Sequence, residues 1–128
     1  SVSDLQLPVF LVGTERDHVS PWRSVYKLHH LCEAEITFVL TAGGHNAGII
    51  SEPGHAHRSY RIATRPAQDG WQEADDWLAA AQRQEGSWWP AWQGWLAAHS
   101  GPKRRAAALP ASALGAAPGT YVMQRYDD

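Results

Sequence analysis

The feature that most constrains this chain is a pair of short β-rich apolar runs placed one helix-length apart. Leu7–Gly13 reads LPVFLVG and Glu35–Thr41 reads EITFVLT. Runs this short and this apolar suit strands covered on both faces, as in a parallel sheet. Between them, Ser20-Pro21 carries a helix-start signal: a capping hydroxyl, then a proline whose missing N–H does no harm. The spacing predicts a helix over 21–32, with Val25, Leu28 and Cys32 on its apolar side and Leu31 flanking. A strand–helix–strand of this length requires parallel strands joined by a right-handed crossover. The fold class expected is therefore α/β. Two parallel strands cannot bury themselves, so the pattern predicts a part of a larger α/β protein, cut upstream of Leu7. A first residue that is Ser1 and not Met agrees with that expectation.

The rest of the chain is less regular. Pro53, Gly54, Pro66 and Gly70 punctuate residues 51–71, which read as loop. Ala74–Gln84 (ADDWLAAAQRQ) reads as a helix capped by Asp75 or Asp76 and stopped by Gly86. Pro90–His99 reads as another helix, with Trp92, Trp95, Leu96 and His99 on one face. Residues 101–119 are rich in Ala, Pro and Gly and read as an extended tail; Thr120–Tyr126 (TYVMQRY) predicts a last strand. The division expected is 1–100, part of the α/β domain, and 101–128, an Ala/Pro-rich extended tail.

Composition excludes several classes. At 44% hydrophobic and 19% charged, the 128 residues are those of a globular domain. Divided after Ile62, the chain carries 5 basic and 6 acidic residues, then 6 basic and 7 acidic. Neither half is polarised, so no nucleic-acid partner is expected. No apolar run reaches the ~20 residues of a membrane span, and no signal peptide opens the chain. A single cysteine, Cys32, precludes an internal disulfide and fits a reducing compartment.

The chemistry is expected at Asp17 and His45. Each lies in the loop after one of the two strands, so parallel strands bring both loops to one sheet edge, where open α/β sheets bind ligands. An acid that orients an imidazole lets the ring deprotonate a nucleophile. Glycines around His45 permit a tight loop. A surface turn and an ordinary loop histidine are the plainer alternative. No G-x-S-x-G elbow occurs, so this chain lacks the nucleophile. Cys32, with His29 one turn away, reads as a buried packing residue. His18 could touch a substrate. His55 and His57 lack the companions of a zinc site, so no metal is expected. Four of the seven tryptophans fall between Trp88 and Trp95. They read as pins for a helix, with a polymer-binding or partner-binding surface as the alternative. Lys103-Arg104-Arg105 could touch phosphates, but a solvated basic stretch is the plainer reading.

Four blocks carry a resemblance: GTERDHVSPWRSVYKL, FVLTAGGHNAGIISEPGHAHRSY, EGSWWPAWQGWL and APGTYVMQRYD. In this order they resemble the C-terminal part of poly(3-hydroxyalkanoate) synthases, most strongly the class I, poly(3-hydroxybutyrate)-type enzymes. The D-H-x-x-P-W, G-H-x-A-G and G-S-W-W-P-x-W blocks together are specific. The resemblance implies an α/β-hydrolase-type core, a Cys–His–Asp triad, and polymerisation of (R)-3-hydroxyacyl-CoA with release of coenzyme A. It assigns the aspartate to Asp17 and the histidine to His45. Its cysteine belongs to a G-x-C-x-G elbow, which this sequence does not contain, and Cys32 inherits no role. The chain alone is therefore expected to be inactive.

The implied partners are the acyl-CoA substrate, the polyester chain and the upstream part of the same enzyme. Coenzyme A enters as substrate and no cofactor is expected. A homodimer through the cut sheet edge and a cytoplasmic location at polyester granules complete the expectations. Two other readings stay open: a different α/β-hydrolase, such as an esterase, thioesterase or depolymerase, and a non-catalytic granule-binding module.

Overall fold

A computed structural model describes residues 1–108 and 115–126. Its centre is a four-stranded sheet in the order β1-β2-β3-β4, formed by β1 (Val9–Thr14), β2 (Ile36–Thr41), β3 (Ser59–Arg65) and β4 (Arg83–Glu85). β1 and β2 run parallel, Val9 opposite Ile36 and Thr14 opposite Thr41. This is the expected strand–helix–strand, and it makes the chain α/β. β3 and β4 add antiparallel, so the sheet is mixed.

The crossover departs from one continuous helix. It is α1 (Trp22–Tyr26) followed by α2 (Leu28–Leu31). Ser20 does not cap it: Pro21 holds the cap position and no side chain bonds there. Its buried side chains are Trp22, Tyr26 and His29. Val25 and Leu28 pack at the margin, Leu31 is exposed and Cys32 is buried just past the end. The aromatic positions won because they face β2. Phe38 lies between the rings of Trp22, Tyr26 and Trp77, its centroid 4.7 Å from that of Trp77 and 5.4 Å from that of Tyr26.

Three further expectations are corrected. Residues 51–71 are not all loop, since β3 occupies Ser59–Arg65. The helix α3 covers Ala74–Ala80 alone, capped at Glu73 without a side-chain bond, and Arg83–Glu85 pairs with β3 instead. The last strand is absent: Tyr121–Met123 form a 3-10 turn, with Tyr121, Met123 and Tyr126 largely exposed. β-rich residues make a strand only where a sheet edge accepts their backbone, and this segment pairs with none. The final helix, α4 (Trp89–Ala98), keeps Pro90 in its first turn as expected. It covers the sheet face opposite α1, where Phe10 of β1 meets Trp88 and Trp95 at 6.3 and 5.6 Å between centroids. Trp92 and Leu96 of that helix remain exposed.

Candidate active site

β1 ends at Thr14 and the chain turns at once. Asp17 shapes this turn from its own carboxylate. Oδ1 accepts the backbone N–H of Val19 at 2.9 Å and of Ser20 at 2.8 Å, and Oδ2 accepts the Thr14 hydroxyl at 3.3 Å. The local sequence explains the arrangement. A short acidic side chain reaches the amides two and three residues on, which then need no helical partner. Ser20 thus contributes its amide, not its hydroxyl, to the entry of α1.

β2 ends at Thr41, and the glycine-rich loop turns back beneath Asp17. Gly43 has φ +137°, and a Cβ there would lie 2.8 Å from the Gly48 backbone. A Cβ on Gly48 would lie 2.4 Å from Cγ2 of Thr14, which is buried. Two glycines are therefore required for the loop to close against β1. Residues 44–50 form one short helical turn, with Gly48 N–H bonded to Gly44 O at 3.0 Å and Ile50 N–H to Asn46 O at 3.0 Å.

This closure brings the two predicted residues together. His45 Nδ1 lies 2.8 Å from Asp17 Oδ2, although 28 positions separate them. The Asp17 side chain is 8% exposed and that of His45 49%, so the acid is sheltered and the ring faces solvent. The Asp17 carboxyl is lowered from 3.8 to about 2. The Ser20 amide is the largest cause; partial desolvation opposes it, and His45 and the Val19 amide add to it. At neutral pH the carboxylate is ionised and can only accept hydrogen bonds. The shared hydrogen therefore belongs to His45 Nδ1, so in the neutral ring Nε2 carries the lone pair. That is the tautomer of a general base.

The remaining candidates separate. His18 is exposed beside Asp17 at the rim. Cys32 lies at the other end of the sheet, before β2, buried with its thiol 3.6 Å from Leu28 O. It is the packing residue expected. Its neighbour His29 is buried against Tyr26, and burial pushes its imidazole below the usual range. His55 pairs with Glu52 at 2.9 Å, and that bond lowers the Glu52 carboxyl. Among the described residues no group of three or more His, Cys, Asp or Glu could hold a metal ion, and no helix is long and apolar enough to cross a membrane. Lys103-Arg104-Arg105 are exposed.

Sequence reasoning missed what surrounds the pair. The Thr14 hydroxyl and the amides of Val19 and Ser20 hold Asp17. The indole N–H groups of Trp88 and Trp89 donate to the carbonyls of Gly48 and Ile49, at 3.1 and 3.0 Å. The spacing of Asp17 from Ser20 was a readable turn signal. The tryptophan contacts span 40 residues and leave no local signal.

No family model matches the chain. Curated relatives do. The chain is 36% identical to the poly(3-hydroxyalkanoate) polymerase subunit PhaC of Rhizobium etli, over 98% of this chain and 20% of that protein. It is 36% identical to the subunit of the same name from Cupriavidus necator, over 94% of this chain and 20% of that protein. Poly(3-hydroxyalkanoate) polymerase 2 of Ectopseudomonas oleovorans is 38% identical over 94% of this chain and 22% of its own length. The chain thus spans about a fifth of the length of the relatives it matches. Since the similarity runs through nearly all of its residues, both loops of the Asp17–His45 pair included, the chain belongs to the poly(3-hydroxyalkanoate) polymerase family as a C-terminal part.

Proposed function

We propose that this chain supplies the acid and the base of a Cys–His–Asp triad in a polyhydroxyalkanoate synthase of α/β-hydrolase type. The reaction is acyl transfer: (R)-3-hydroxyacyl-CoA units join a growing polyester and coenzyme A leaves. The carrying observation is the 2.8 Å bond from His45 Nδ1 to an ionised Asp17.

The chemistry follows from that tautomer. A cysteine thiol from the upstream part of the enzyme, brought to His45 Nε2, gives its proton to the ring. The thiolate adds to the thioester carbonyl. The bond from carbonyl carbon to coenzyme A sulfur breaks, and the imidazolium returns the proton to the departing sulfur. The acyl-cysteine next receives a 3-hydroxyl, whose proton passes to His45 as the new ester forms. The cysteine leaves and recovers that proton. Asp17 keeps the ring aligned and offsets its positive charge in both halves. Exclusion of water lets the hydroxyl win over hydrolysis. His18, exposed beside Asp17, is assigned to contact with the incoming substrate. The enzyme would work at the surface of cytoplasmic polyester granules, and the described residues 101–108 and 115–126 would belong to a tail outside the catalytic domain. Without the cysteine the chain by itself is inactive.

In the longer enzyme, Asp17→Asn and His45→Gln should each lower coenzyme A release by about 10³–10⁴-fold, the scale of a triad whose base is lost or in the wrong tautomer. Turnover within about twofold of the parent in both variants contradicts these roles. Serine in place of cysteine in the upstream elbow would assign the same pair to an ester hydrolase.

A further inference from the structure

The short turn that carries His45 has an unsolved problem of its own. A helical turn that stops after one cycle leaves its last carbonyls without intrahelical donors. Here the turn over 44–50 leaves the carbonyls of Gly48 and Ile49 facing the protein. Their partners come from the first residue of α4 and the residue before it. Trp88 Nε1 donates to Gly48 O at 3.1 Å and Trp89 Nε1 donates to Ile49 O at 3.0 Å. One residue earlier, the Ser87 hydroxyl donates to the carbonyl of Ser51, itself fully buried. Three consecutive side chains thus fasten three carbonyls of the segment that follows His45.

The fastening also reaches the acid. Trp88 is 6% exposed, and its ring stacks on Phe10 of β1, the strand that leads to Asp17. Gly48 O takes a second bond, from the hydroxyl of Thr41 at the end of β2, at 3.2 Å. Trp88 therefore ties the strand of the acid to the loop of the base. Backbone bonds join the two loops ahead of His45, Glu15 N–H to Thr41 O at 3.0 Å and Arg16 N–H to Gly43 O at 2.9 Å; the tryptophans fasten the residues that follow it.

The geometry points to Trp88 and Trp89, with Ser87, as positioning residues: their donors hold the His45 turn so that its ring stays on Asp17. This inference rests on the reading of His45 as the base. It assigns the G-S-W-W-P segment a part in acid–base geometry through the His45 loop, without any contact to substrate.

Phenylalanine is the informative substitution, since it keeps most of the packing and removes the N–H donor. In the longer enzyme, Trp88→Phe with Trp89→Phe should increase amide hydrogen exchange in a peptide covering 43–50. It should lower kcat by about 10–100-fold and leave KM within about twofold, as a small misplacement of a reacting group does. Trp71→Phe, at the distant end of the sheet where its ring stacks on His30, serves as the control and changes neither reading. Should the double variant fail to fold, Trp89→Phe alone removes one donor from a half-buried ring and should show both changes at smaller amplitude. Unchanged exchange over 43–50 overturns the fastening. Raised exchange with unchanged kcat overturns the positioning role. His45→Gln is run beside them: if it releases coenzyme A at the parental rate, the reading of His45 as base fails, whatever the tryptophans do to exchange.

Discussion

Asp17 does more with four heavy acceptor contacts than an ordinary surface carboxylate. It receives two backbone amides, a threonine hydroxyl and the imidazole of His45. Each donor favours the charged form, and the Ser20 amide most. The sign of the pH dependence follows. A carboxyl held below its unfolded value favours the folded arrangement above that value, 3.8, and loses this contribution as pH falls through about 2. A carbon-13 titration of the Asp17 carboxyl should therefore show a midpoint near 2, well below 3.8. A midpoint at the ordinary value would mean that the amides and His45 do not hold it in solution. At the same scale, Arg65 explains a charged residue inside a sheet. Its guanidinium donates to the carbonyls of His29, Cys32 and Ala34 at 2.5, 2.8 and 2.7 Å, closing the end of α2.

The strands set where the loops can meet. β1 and β2 are parallel neighbours, so the turn after Thr14 and the turn after Thr41 leave from one edge. The loops then approach to within a methyl group of each other, and glycine at position 48 is what permits it. Gly48→Ala would drive a Cβ into Thr14, a buried branched side chain with no room to yield. We expect this substitution to lower the thermal midpoint and to cost about 1–3 kcal/mol, as overpacking does. Thermal unfolding of Gly48→Ala beside Gly70→Ala, where a Cβ meets nothing within 4 Å, checks it. Equal midpoints for the two variants would contradict the close approach. Elements also show where sequence reading stopped. β1 and β2 were legible because apolar side chains occupy both of their faces. β3 was not, because two of the residues facing the α1 side are Arg61 and Arg65, which bond the carbonyl of Ala81 and those at the end of α2. Their charge hides the alternation of Tyr60, Ile62 and Thr64 on the other face. β4 is three exposed residues and has no apolar pattern to read.

At the scale of the molecule, the pair was legible and its support was not. Two runs, a crossover and the handedness of such crossovers suffice to place Asp17 and His45 on one edge. The distance between them depends on Gly48, on the amides of Val19 and Ser20 and on indoles 40 residues downstream, which only the assembled fold brings near. The chain matches about a fifth of its relatives' length, yet that fifth holds both members of the pair and the groups that fix them. The acid–base half proposed for the triad is assembled within the chain, before any nucleophile arrives. Nitrogen-15 spectra of the histidines test it most directly, recorded at neutral pH on the 128-residue chain and on the longer polymerase. In both, His45 should be the neutral tautomer with its proton on Nδ1, and Asp17→Asn should abolish that preference. His45 protonated on Nε2, or averaging freely between tautomers with Asp17 intact, would contradict the account.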